Sequence, residues 1–144
     1  MDNKKIQKLK ESLFRSAKAL YFSLPILLGV ILLIGLANTF IPKEAYSSIF
    51  RNIPVLDAFI GAAIGSVLAG NPITSYIMGG EFLAQGVGLF AITSFLVAWV
   101  TVGVVQLPAE SLLLGKRFAI WRNLTSFVFA IIVSVITVLI MRLI

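Results

Sequence analysis

The sequence predicts an all-α integral membrane protein, with three long transmembrane helices, a Gly-Asn-Pro broken or re-entrant helical hairpin, and an N-terminal amphipathic helix. Three observations carry that expectation. Of 144 residues, 59% are hydrophobic and only 12% charged, against roughly 45–50% and about 25% in soluble domains. Uncharged apolar runs of 22 residues recur at Ala19–Phe40 and Gly86–Leu107. Half of the twelve Lys and Arg lie in the first eighteen residues, a distribution suited to an anionic membrane surface rather than to nucleic acid.

The elements follow in order. Residues 1–18 carry Lys4, Lys5, Lys8, Lys10, Arg15 and Lys18, while Ile6, Leu9, Leu13, Ala17 and Leu20 recur at helical spacing. This is the pattern of a basic amphipathic helix lying in the interface; the alternative is a frayed, solvated tail. Residues 19–144 form the polytopic membrane domain. Ala19–Phe40 is too long for the roughly 7–15-residue core of a signal peptide and reads as a retained span, ended by Asn38 and Pro42. Residues 41–54 form a short loop with Lys43, Glu44 and Arg51, whose Ile49, Phe50 and Ile53 suggest that it lies along the surface.

The next apolar stretch, 55–83, is interrupted by Gly70-Asn71-Pro72. Proline lacks an amide hydrogen and disfavours helix at the residue before it, leaving two pieces that each fall short of the ~20 residues of a full span. Gly86–Leu107 is a third run, 108–122 a loop with Pro108, Glu110, Lys116, Arg117 and Arg122, and Asn123–Ile144 the last run, with Arg142 near its end.

Charge distinguishes two topologies. Four full spans put seven Lys/Arg inside and five outside; a re-entrant 55–83 puts nine inside and three outside. The positive-inside rule prefers the second. Both place the N-terminus in the cytoplasm and the chain in the cell membrane as a multi-pass protein.

The chemistry-bearing stretch is Gly70–Ser75. Asn71 suits a helix N-cap with Pro72 at the first helical position, and Asn71, Thr74, Ser75 and Met78 share a helical face. A helix N-terminus in mid-membrane presents amide hydrogens and a positive dipole end to a polar or anionic solute; the competing reading is a proline kink in a plain helix. Glu81 and Glu110 are the acids nearest the apolar segments, and a carboxylate at such depth is functional by default, unless it sits at headgroup level paired with Lys116 or Arg117. Gln106 adds a polar side chain to the third run. Asp57 and Glu44 look like solvated surface acids. Gly61-x-x-x-Gly65 and the stripe Ser126, Ala130, Ser134, Thr137 read as helix-packing surfaces, and Trp99 as packed between helices. With no His and no Cys, nucleophile–base pairs and the usual transition-metal sites are missing; no cofactor and no metal is expected, and the chain does not read as an enzyme.

The stretch from Gly70 to Phe129 resembles a predicted-permease family whose full-length members include organoarsenical efflux permeases. The resemblance rests on GNPITSYIMGG at 70–80, on Gly86-Val87-Gly88-Leu89, on the Pro-bearing loop after it, and on Gly115-Lys116-Arg117-Phe118-Ala119 with Arg122. Full-length members are about twice this long, so the resemblance implies a half-size permease subunit. Its expected partners are the lipid bilayer, a small-molecule solute, and a second copy or a second half-permease. The expected function is transport of a small polar or anionic solute, with Asn71, Pro72, Thr74, Ser75, Glu81 and Gln106 forming the substrate site. The alternative is a non-transporting membrane scaffold or accessory subunit.

Overall fold

The computed structural model describes residues 3–40, 45, 48–51, 53–68 and 70–144; Pro42, Lys43, Glu44 and Ala69 lie outside them. The described residues are all-helical, with no strand among them. They fall into two compact units, Met1–Phe40 and Ile41–Ile144.

The first unit is a single helix, α1 (Asn3–Phe40), which runs without interruption through Lys18 and Ala19 and has Pro25 inside it. The basic segment and the apolar run are thus one element, and the compact units divide after Phe40 rather than at residue 18. Ser23 and Thr39 donate their hydroxyls back to Ala19 and Gly35 carbonyls, which internalises their polarity along the helix.

The second unit contains α2 (Pro54–Val67), α3 (Pro72–Ala84), α4 (Leu89–Thr101), α5 (Leu107–Leu114) and α6 (Lys116–Met141). Its centre is α4, buried at Phe90, Ala91, Ser94, Phe95, Ala98 and Trp99. Helix α2 lies along α4 with the same direction, Gly61 against Ala91 and Gly65 against Phe95. Helix α3 runs the opposite way, from Gly70 beside Trp99 back to Gly79 beside Ile92 and Leu96. The chain therefore reverses at Gly-Asn-Pro, and the element is a helical hairpin wedged on α4 rather than a kinked continuous helix. Helix α6 is antiparallel to α4: Ala130 meets Ala98 and Val102 in one cluster, and Val138 meets Phe90 and Ala58 in another.

Glycine spacing makes the tight α2–α4 approach. A Cβ on Gly61 would sit 2.1 Å from the Ala91 carbonyl oxygen, and one on Gly65 would sit 2.4 Å from that of Phe95. The expected packing role of this pair is what the structure has. The small stripe of α6 does the same at Ala130 and Ser134, both fully buried; the Ser134 hydroxyl donates to the Phe90 carbonyl at 2.6 Å. Trp99 is buried between helices, edge-on to Phe95.

Three expectations need correction. Gly86–Leu107 is not one long helix. Its helical part is the 13-residue α4, about 20 Å long and short of the ~30 Å hydrocarbon core. Val102-Gly103-Val104-Val105, three β-branched residues and a glycine, has low helical preference, and other elements satisfy backbone amides that it frees. Among the described residues, one helix, Lys116–Met141, is long and apolar enough by length and composition to cross a membrane; it begins seven residues before the apolar run does. Asp57 is no surface acid: it is 2% exposed, in the first turn of α2, and its Oδ1 accepts the Arg51 amide at 3.0 Å. Phe50, expected along a surface loop, is buried with Val87, Ala91 and Ile92.

Candidate functional site

Two helix breaks of the second unit, the one holding Leu68, Gly70 and Asn71 and the one at 102–106, come to the same end of the fold. Because α2 and α4 run in parallel, their C-terminal ends arrive together, and the α3 N-terminus begins beside them. Trp99 donates its indole N–H to the Gly70 carbonyl at 3.3 Å, and the Val104 amide donates to the Ser66 carbonyl at 3.3 Å, so each break is tied to the other's helix. Between them lies a cavity of about 120 Å3 lined by Ser66, Gly70, Pro72, Trp99, Gly103, Gln106 and Arg122, among others. That volume has room for several water molecules or one small solute.

A polar network closes the cavity on the α5–α6 side. The buried Asn123 accepts the Gly103 amide at 2.7 Å and donates to Glu110 Oε2 at 3.1 Å and to the Ala119 carbonyl at 2.9 Å. Glu110 is ion-paired with Arg122, whose other terminal nitrogen donates to the Thr101 carbonyl at 3.3 Å. A cation at the last carbonyls of α4 matches the negative end of that helix. Each freed backbone group named here is answered by a protein partner, as irregular backbone in an apolar fold requires.

The expected N-cap is present. Asn71 has extended backbone, its Oδ1 accepts the Ile73 amide at 2.9 Å, and Pro72 follows at the start of α3. The capping changes what this terminus offers. Pro72 has no amide hydrogen, Ile73's is taken by Asn71 Oδ1, and Thr74's is taken by the Asn71 carbonyl at 2.9 Å. The start of α3 is therefore not an open row of donors, contrary to the expected anion-receiving terminus; Asn71 supplies its own acceptor. Replacing Asn71 with Ala is expected to cost about 1 kcal/mol of stability, and Asn71→Asp close to nothing, as read by denaturant titration of the purified chain in detergent.

Of the six expected substrate residues, the structure brings Pro72 and Gln106 to the cavity wall, with Asn71 adjoining through its cap. Thr74 and Ser75 are buried in α3, the Ser75 hydroxyl turned back to the Pro72 carbonyl at 2.7 Å. Glu81 lies two and a half turns down α3, at the opposite end of the unit, where Gln85 donates to its Oε1 at 3.0 Å. Glu110 is paired, but with Arg122 rather than Lys116 or Arg117. Sequence reasoning did not assign Ser66, Arg122 or Asn123 to a site. A signal was present: Gly103-Val104-Val105-Gln106-Leu107-Pro108 repeats the glycine, polar residue, proline order of Gly70-Asn71-Pro72, and Arg122-Asn123 is a polar pair opening a long apolar run. The site also lies near one end of the bundle, level with Arg122 and Asn123, rather than level with the middle of α6.

In comparisons with known proteins, no family model, curated protein or solved structure matches the chain.

Proposed function

We propose that this chain is a membrane permease subunit, a half-size relative of the permeases it resembles, that moves a small polar or anionic solute as a dimer of such units. The observation that carries the reading is the meeting of two helix interruptions at one polar cavity inside an otherwise apolar fold. Helix breaks that face each other across a small cavity are the common plan of solute sites in transporters, and the Arg122 guanidinium, shared with Glu110, lies in the cavity wall. Lipid burial of the outer surface is supported by α6, whose Leu124, Val128, Phe129, Ile136, Leu139 and Ile140 are all exposed; soluble monomers rarely expose so continuous an apolar surface.

In this reading α1 takes the chain out of the cytoplasm, and the α2–α3 hairpin enters and leaves on the outer side. Helix α4 brings residues 102–122 back to the cytoplasmic side, the side that the positive-inside rule assigns to basic segments. The chain has no Cys, so single cysteines report sidedness cleanly. Cysteine at Glu81 is expected to react with a membrane-impermeant thiol reagent on intact cells, and cysteine at Ser111 to be protected; the reverse pattern sinks the hairpin topology.

The solute path is tested in proteoliposomes with radiolabelled chloride, phosphate and sulfate. Uptake of at least one above protein-free vesicles is expected. Gln106→Leu and Arg122→Gln are each expected to lower it roughly tenfold, the worth of one lost charge-assisted hydrogen bond, with the chain still in the membrane fraction. Equal uptake with and without the protein, from folded and inserted chain, removes the permease reading in favour of a scaffold.

A further inference from the structure

Outside the cavity, the corner between α5 and α6 is the least explained part of the surface. Helix α5 has no buried residue. Leu112 and Leu113 are 88% and 84% exposed, although the helix packs on α6 through Glu110's bonds to Arg122 and Asn123. Beside them an apolar groove of about 440 Å3 runs between the two helices, lined by Leu107, Pro108, Leu112 and Ile120, with the Ser111 hydroxyl and Lys116 as its polar members. Its size falls in the range of small-ligand pockets, roughly 300–1,000 Å3.

Charge decides what fits. Lys116 lines the groove and Arg117 follows it, both exposed, and among the described residues neither is ion-paired. Glu110, the one acid of α5, is committed to Arg122 and Asn123. The groove therefore joins an apolar wall to one uncompensated cation, Lys116, with a second, Arg117, next to it in the chain, the complement of an acyl chain ending in an anionic phosphate headgroup. A zwitterionic headgroup would bring its own ammonium against Lys116 and Arg117. We propose that this groove binds an anionic phospholipid of the bilayer, held by Lys116 and Arg117 at the phosphate and by Leu107, Leu112 and Ile120 along the chain. The inference rests on the membrane reading above. Basic pockets between helices at a membrane surface recognise anionic headgroups by this same pairing of charge and apolar wall.

The test is native mass spectrometry of the full chain purified in detergent and offered equimolar phosphatidylglycerol and phosphatidylcholine. Wild type is expected to retain phosphatidylglycerol roughly tenfold in preference. The double variant Lys116→Gln with Arg117→Gln is expected to fall to near parity, and Lys116→Arg with Arg117→Lys to keep the preference. Arg142→Gln, at the other end of α6, is expected to leave it unchanged. Equal retention of both lipids by wild type, or an undiminished preference in the double Gln variant, overturns the proposal. So does efficient disulfide cross-linking of Leu112→Cys in membranes, which would place a second copy of the chain over the groove. Alkaline carbonate extraction separates the two levels of failure: a carbonate-soluble chain overturns the membrane reading and this site with it, whereas a carbonate-resistant chain without lipid preference overturns the site alone.

Discussion

Gly61→Ala is expected to destabilise the second unit by more than about 3 kcal/mol, at or beyond the top of the usual overpacking range, and Gly65→Ala to do nearly the same. The added carbon at 61 would meet the Ala91 carbonyl oxygen at 2.1 Å and the Ser94 hydroxyl at 2.5 Å; at 65 it would meet the Phe95 carbonyl at 2.4 Å. These obstacles are backbone atoms of α4 or a buried hydroxyl bonded to that backbone, so they cannot swing aside as a flexible side chain does. The helices must separate, and the separation propagates to Ala62, Ala98 and Ala130, which share one cluster. Gly80 is the internal control. It lies in α3 with nothing within 4 Å of its added carbon, so Gly80→Ala is expected to be neutral or to stabilise by up to about 1 kcal/mol through helix propensity. Denaturant titration in detergent, followed by circular dichroism, compares the three. Equal stability of Gly61→Ala and Gly80→Ala would falsify the close α2–α4 packing.

Asn123→Leu is expected to be the second severe change. It keeps the approximate size of the side chain and removes an acceptor for Gly103 and two donors, to Glu110 and Ala119. The Gly103 amide then has no helical partner, and Glu110 keeps only Arg122. Each buried polar group left unsatisfied costs about 1–3 kcal/mol, giving a loss of roughly 2–5 kcal/mol for the network. Asn123→Asp separates the contributions. It retains an acceptor for the Gly103 amide, but it sets a second carboxylate against Glu110, and like charges at such range repel. The Asp variant is expected to be destabilised at neutral pH and to be rescued in part by Glu110→Gln, measured as a double-mutant cycle. Additive effects of the two substitutions would mean that Asn123 and Glu110 do not share one network.

The first break was legible because its causes are local. Proline at 72 removes its own donor, Asn71 reaches an amide two residues on, and Gly70 precedes them; all of this is contained in four consecutive residues. The second break was hidden in an uncharged run. Within Val102–Gln106 one turn bond forms, from the Gln106 amide to the Gly103 carbonyl; the Val104 and Gly103 amides are answered by Ser66 and Asn123, from 38 residues before and 20 residues after. Asp57 was misread for the same kind of reason. An acid near an expected helix end is usually solvated, and only the fold places the Arg51 amide against its carboxylate and leaves it 2% exposed. The amide donors at the α3 start were overvalued because the cap that announced the helix also consumes the first of them.

By itself the sequence determined the helical class, the reversal-prone Gly-Asn-Pro, the Asn71 cap and the small-residue surfaces at Gly61, Gly65, Ala130 and Ser134. These follow from residue preferences and from spacing along one helix, which act over a few residues. The tertiary structure decided that α4 ends at Thr101, that two breaks share one cavity, that Glu110 is joined to Arg122 and Asn123, and that Glu81 lies at the far end. Those outcomes depend on which distant polar group meets which freed backbone atom. In an apolar fold each such group must find a protein partner, so helix packing, rather than any local motif, chose where the polar site sits.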